Sequence, residues 1–208
     1  MDPMDIVWEL PPQNFVKINV HAAYRADTLP NGNNSGIGVV IRNHEGNIIR
    51  MITGTIKGLT RENNQLWAML KALQRVCIEN LTHYILETDD RNMINIIDHY
   101  MEGGVGDQFE LAHQIIHIIK DQRFVSDFEL VDSNRNILAT YLARNGGETR
   151  DRLYVVTEPF GRVQEIQNFD LGLAPLEQPF WEDEDDYHEE LDDADDYEEL
   201  DDARSYDE

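Results

Sequence analysis

The feature that most limits what this chain can become is the run FVKINVHAAY, Phe15 to Tyr24, in which Val16, Ile18, Val20 and Ala22 alternate with Lys17, Asn19 and His21. A period of two is the signature of a β-strand, with alternate side chains on opposite faces. Lys17, Asn19 and His21 therefore share one face, and His21 stands near the strand's carboxyl end, where open α/β sheets place their sites. Two further β-branched runs follow, Ile37 to Arg42 and Ile48 to Ile56, joined by the polar stretch Asn43 to Asn47 that contains Gly46. That is a hairpin signal, so the first three strands are predicted to form an antiparallel meander. The longer connection TLPNGNNSG, Thr28 to Gly36, is rich in turn formers.

From about Thr60 the period changes. Leu66, Leu70, Leu73 and Cys77 fall at helical spacing and predict a long amphipathic helix. His83 to Thr88 reads as a short strand leading to Asp89, Arg91 to Met101 as a helix closed by Gly103 and Gly104, and residues 108 to 122 as a third helix. Phe128 to Val131 reads as the last strand, and Asn136 to Arg144 as a helix stopped by Gly146 and Gly147. The order β-β-β-α-β-α-α-β-α implies an α/β fold, a mixed sheet with helices on both faces. Ahead of it, Pro11 and Pro12 end an irregular lead-in whose Trp8 is expected to pack on the body.

Charge is spread unevenly. Residues 1 to 150 carry 14 Lys and Arg against 19 Asp and Glu, net −5, whereas the remaining 58 carry 3 against 22, net −19, within a total of −24. The second part should repel nucleic acid, acidic membranes and anionic substrates and favour a basic partner. It also repeats itself: DDYHEELDDA, Asp185 to Ala194, is followed by DDYEELDDA, Asp195 to Ala203. Such composition predicts a disordered tail. Two readings stay open for it. One is a solvating polyanion; the other is an acidic ribbon in which Phe180, Trp181, Tyr187, Leu191, Tyr197 and Leu200 are apolar anchors for a basic protein.

With Cys77 the only cysteine, no intramolecular disulfide can form. The opening MDPMDIVWELPP has neither a basic n-region nor an apolar h-region, and no apolar run approaches a membrane span. The expectation is an intracellular protein of cytoplasm or nucleus, off the membrane, with oligomeric state left open.

The segments WELPPQNFVKINVHAA, GIGVVIRNHEGNII, QLWAMLKAL, YILETDDRN and NILATYLAR together resemble the plant ribonuclease H-like domain, related to retroelement ribonuclease H. The resemblance covers roughly residues 8 to 145, and RLYVVTEPFGRVQEIQNFDLG is similar to the extension that often follows this domain. It divides the chain into a lead-in (1–12), a ribonuclease H-like domain (13–147), an extension (148–179) and the acidic tail (180–208). The resemblance implies a five-stranded sheet with its first strand central, and four carboxylates that hold two magnesium ions to cut the RNA strand of a hybrid. At the four positions this chain carries His21 (in NVHAA), Gln65, Asp89 (in LETDD) and Thr140. Only Asp89 keeps its charge, so the formal site charge drops from −4 to −1. Magnesium prefers hard anionic oxygens, and one carboxylate cannot hold two divalent ions at close range. No catalytic residue, metal ligand set or cofactor is therefore expected, magnesium returning only if the enzyme reading holds.

Other ligands are weighed on the same residues. One reading has His21 and Asp89 join a third group around zinc; the plainer reading is a strand-end histidine hydrogen-bonded to Asp89. His113 and His117, four apart in AHQIIHII, share a helical face without a third ligand nearby in sequence. Nucleic acid without cleavage is a rival function, but it needs cations, and Lys17, Arg42, Arg50, Lys57, Arg61, Lys71 and Arg75 are scattered. Clustering of Glu87, Asp90 or Asp132 around Asp89 would favour catalysis, and a basic groove would favour nucleic acid. The leading reading is a catalytically inactive ribonuclease H-like binding module with a partner-binding tail; a hybrid ribonuclease and a non-cleaving nucleic-acid binder are the alternatives.

Overall fold

A computed structural model describes residues 8–25, 32–56, 60–106, 109–121, 123–149 and 152–176. The chain divides into two units, Met1–Glu177 and Gln178–Glu208, and every described residue belongs to the first. The tail anchors Phe180, Trp181, Tyr187, Leu191, Tyr197 and Leu200 thus lie outside the described residues, as does Lys57.

The meander is β1 (Val16–Tyr24), β2 (Ser35–Arg42) and β3 (Ile48–Gly54), paired antiparallel with Val20 opposite Val39 and Val39 opposite Ile52. Asn43 closes the hairpin between β2 and β3, its side-chain Oδ1 accepting from the backbone N–H of Glu45 at 3.0 Å and of Asn47 at 2.9 Å. Helix α1 (Arg61–Ile78) starts at Thr60, whose hydroxyl accepts from the N–H of Asn63. It lays Leu66, Met69, Leu70, Leu73 and Val76 on the sheet face carrying Ile18, Val20, Ile37, Val39 and Ile41. Strand β4 (His83–Thr88) and helix α2 (Arg91–Met101) fall where the sequence pattern places them. Next come α3 (Phe109–Ile119), β5 (Val125–Leu130), a short turn of 3-10 helix at Ser133–Arg135, and α4 (Ile137–Thr149).

Besides β5, which is Val125–Leu130 rather than the expected Phe128–Val131, two expectations need correction. The sheet has six strands rather than five, in the order β5-β4-β1-β2-β3-β6, because β6 (Tyr154–Val156) adds to the free edge of β3. β6 and the following helix α5 (Val163–Asp170) both come from residues 148–179. Second, Gly146 and Gly147 do not stop the last long helix, which runs through them to Thr149. They sit there because α4 rides almost on the sheet backbone: a Cβ on Gly146 would lie 2.2 Å from the backbone N of Gly54. Glycine's loss of roughly 0.5–1 kcal/mol inside a helix is offset by that close approach.

The same contact is made from the sheet side. A Cβ on Gly38 would lie 2.0 Å from the carbonyl oxygen of Ala139. Backbone cannot yield as a side chain can, so Gly38→Ala is expected to cost about 3 kcal/mol by forcing α4 off β2. Urea unfolding checks this, and an unchanged midpoint would contradict the packing described.

The second face of the sheet carries α4 over its His21 end and a buried polar network over the other. Lys17 pairs with Glu87 at 2.5 Å, Asn19 Nδ2 donates to Glu87 at 2.8 Å, and Trp8 Nε1 donates to the same carboxylate at 2.9 Å. Arg42 donates to the side-chain Oδ1 of Asn19 at 2.7 Å and to Asp170 at 2.6 Å, with its guanidinium 3.5 Å from the centre of the Trp8 ring. All six side chains are buried. Burial pulls Arg42 below its usual pKa and pushes Asp170 above its own, while their contact works against both shifts. Trp8 does pack on the body, as the sequence suggests, through a hydrogen bond to Glu87 and the stacking of Lys17 and Arg42 on its ring. No helix among the described residues is long and apolar enough to cross a membrane.

Candidate functional site

The parallel pairing of β1 with β4 sets the site. Val20 lies opposite Thr88, so the residues that follow, His21 on β1 and Asp89 just past the end of β4, emerge at the same end of the sheet. His21 Nδ1 is 2.9 Å from Asp89 Oδ1. A carboxylate only accepts, so Nδ1 carries the proton and donates it. Asn136, at the start of α4, donates from Nδ2 to the same Oδ1 at 2.7 Å and to the backbone carbonyl of Val20 at 3.0 Å. Burial alone would raise Asp89, but electrostatic attraction to His21 and the hydrogen bonds from His21 and Asn136 hold its carboxyl below the usual carboxylate pKa.

The other two positions turn elsewhere. Gln65, buried on α1, donates from Nε2 to Asp90 rather than to Asp89. Asp90 is also the N-cap of α2, its other oxygen accepting from Asn92 N at 2.8 Å and Met93 N at 3.3 Å. Thr140 bonds its hydroxyl back to the Asn136 carbonyl of its own helix at 3.1 Å. The structure therefore joins His21 and Asp89 directly, keeps Gln65 and Thr140 close in the fold, and adds Asn136. Asn136 opens the segment NILATYLAR, but a carboxamide there does not announce its partner in sequence.

The carboxylates that would have favoured catalysis are committed. Glu87 belongs to the Lys17 network, Asp90 caps α2, and Asp132 caps the 3-10 turn through Asn134 N at 2.9 Å. Magnesium, which the fold family implies, has a poor match in this donor set. The single charged acceptor already has its Oδ1 bonded by two donors, and the Thr140 hydroxyl donates to its own helix. Two buried carbonyl oxygens, Gln65 Oε1 and Asn136 Oδ1, have no hydrogen-bond partner among the described residues, yet neutral amides cannot replace three carboxylates around two divalent ions. No group of three His, Cys, Asp or Glu among the described residues could hold a metal ion.

His113 and His117 lie together on the exposed side of α3, beside Tyr100, Ile116, Lys120 and Asp121, around a hollow of about 440 Å³. Asp121, the carboxylate that lines this hollow, is bound by Arg123 at 2.6 Å. The scattered cations resolve unevenly. Lys17 and Arg42 are buried and paired, and Arg50 and Arg75 both bind Glu79, at 2.7 and 3.3 Å. Arg61 is exposed and Lys71 half-buried.

A mixed sheet with an interior first strand, α1 and α4 on opposite faces, and a site at the ends of β1 and β4 is a ribonuclease H-like domain. The chain belongs to the reverse transcriptase-like family, whose profile matches residues 23–146. Solved structures agree on the fold. The N-terminal ribonuclease H domain of a Mycobacterium tuberculosis protein, solved as a fusion with maltose binding protein, is 17% identical with a TM-score of 0.55, covering 64% of this chain and 99% of that one. LC11-RNase H1 from compost is 21% identical with a TM-score of 0.53 over 65% and 96% of the two chains. The same enzyme in complex with an RNA/DNA hybrid gives 18% and 0.54 over 64% and 96%. No curated protein sequence matches.

Proposed function

We propose that this chain is a catalytically silent ribonuclease H-like binding module, of the plant type its sequence resembles, whose acidic C-terminal stretch takes a basic protein partner. One observation carries the silent site: the lone family carboxylate, Asp89, has one oxygen, Oδ1, held by both His21 and Asn136 within the protein, and no second carboxylate stands at the other three family positions. An enzyme of the two-metal kind needs carboxylates turned toward ions, and here the ring of His21 occupies that role with a proton. The binding half rests on the duplicated unit in residues 185–203, which repeats one Tyr and one Leu inside a run of carboxylates.

Replacing Tyr187, Leu191, Tyr197 and Leu200 by Ser leaves the charge untouched and removes the apolar anchors. Binding to a lysine-rich peptide that also carries aromatic residues is expected to weaken at least about tenfold at physiological salt. Titration by fluorescence anisotropy measures it. Unaltered affinity would reduce the segment to a solvating polyanion and end the partner-binding half of the proposal.

A second reading, nucleic-acid binding without cleavage, is favoured by the fold shared with LC11-RNase H1, which has been solved with an RNA/DNA hybrid. Against it, two of the cations a hybrid would need, Lys17 and Arg42, are buried in ion pairs.

A further inference from the structure

Strand β5 is one edge of the sheet, and among the described residues it pairs only with β4. The N–H groups of Val125 and Val131 turn toward the β4 side, donating to Thr82 at 2.8 Å and Thr88 at 2.9 Å. By the alternation of a parallel ladder, Ser126, Phe128 and Leu130 turn theirs outward. Open edges of this kind invite another strand, and proteins blunt them with charge. Here the blunting is specific: Asp127 folds its carboxylate over the outward N–H of Phe128 at 2.8 Å. Val125, Asp127 and Glu129 share one face, with Val125 half exposed at 51%. Neither Asp127 nor Glu129 forms an ion pair among the described residues. Burial pushes the Glu129 carboxyl up; Lys17 draws it back, and Glu87, Asp127 and Glu9 add repulsion.

We infer that β5 is a docking edge for an extended, cationic segment of a partner protein, with Asp127 as the latch that selects it. A strand arriving with Lys or Arg at alternate positions places those cations opposite Asp127 and Glu129. The Asp127 carboxylate then leaves the Phe128 N–H for the cation, and the freed N–H joins the new ladder as in β-augmentation. A neutral or acidic strand gives the latch nothing to turn to, so the edge stays closed. Charge decides between occupants. A second copy brought edge to edge would set like carboxylates against each other, and residues 180–208 carry the same sign. A basic segment alone complements the edge, and it deepens the proposed partner binding by adding a contact on the folded body.

The test uses the full chain and a short alternating lysine–valine peptide, read by amide hydrogen exchange at β5. Protection is expected to rise at Ser126, Phe128 and Leu130, and to be absent with the N-methylated peptide, which keeps the charge but cannot build a ladder. Asp127→Lys with Glu129→Lys, the first exposed and the second half-buried, is expected to weaken this protection about tenfold and to transfer preference to a glutamate–valine peptide. If the peptide binds without protecting β5, or if N-methylation changes nothing, attraction is by the tail alone; the edge inference falls and the tail reading stands. If β5 is protected while the Tyr and Leu to Ser changes have no effect, the edge stands and the tail anchors fall.

Discussion

A chain ended after residue 150 is expected to lose the cooperative unfolding of the intact protein, whereas one ended after residue 176 keeps it. The reason is Arg42. Its guanidinium is buried on the second face of the sheet, and its charge is met by Asp170 at 2.6 Å, more than a hundred residues later. Removing one partner of a buried pair costs about 3–5 kcal/mol, because the remaining charge is left without solvent. Total stability for a domain is only about 5–15 kcal/mol. The shorter chain also loses β6 from the edge of β3 and the buried Val163 and Ile166 of α5. Urea unfolding followed by circular dichroism separates the contributions, with Asp170→Ala in the full chain isolating the ion pair. Equal midpoints for the chains ended at 150 and 176 would show that the extension is an ornament on a complete domain.

The second large effect concerns the site. Restoring His21→Asp, Gln65→Glu and Thr140→Asp together returns the formal charge from −1 to −4 and releases Asp89 from the imidazole. Without metal, four carboxylates at one end of the sheet repel, and one of them replaces the buried Thr140, so the variant is expected to melt below the natural chain. Magnesium then has a site to join. At about 100 times its dissociation constant a ligand stabilises by about 2.7 kcal/mol, which for a chain of this size raises the Tm by about 5–10 °C. The natural chain is expected to show no such rise. Calorimetry and melting with and without magnesium check both, and identical magnesium responses in the two chains would mean that carboxylates at these four positions do not build a metal site. Asn136 remains hydrogen-bonded to Asp89 in the variant, so positioning of the ligands, and with it catalysis, is a separate step.

Much of this was legible in the residues. The period-two run at Phe15 located β1, the change of period at Thr60 located α1, and His83 to Thr88 and Arg91 to Met101 were placed to the residue. What the local pattern could not convey is pairing at long range. Lys17 and Asn19 read as one polar face of a strand, yet they are buried, because Glu87 and Arg42 neutralise them from other strands. Gly146 and Gly147 read as a stop by their intrinsic preference, and tertiary contact with β2 and β3 overrode it. β6, only three residues long, has no periodicity to detect. At the site, the resemblance named His21, Gln65, Asp89 and Thr140, and the strand register brought the first and third together. The turn of Gln65 toward Asp90 and the hold of Asn136 on Asp89 are choices of side-chain direction that depend on neighbours far apart in sequence.

The central claim, that Asp89 no longer serves hydrolysis, is tested most directly by cleavage of an RNA/DNA hybrid by the purified chain with magnesium or manganese, beside Asp89→Asn. The expected result is no product from either protein above the uncatalysed background. Metal-dependent cleavage by the natural chain that disappears in Asp89→Asn would contradict it.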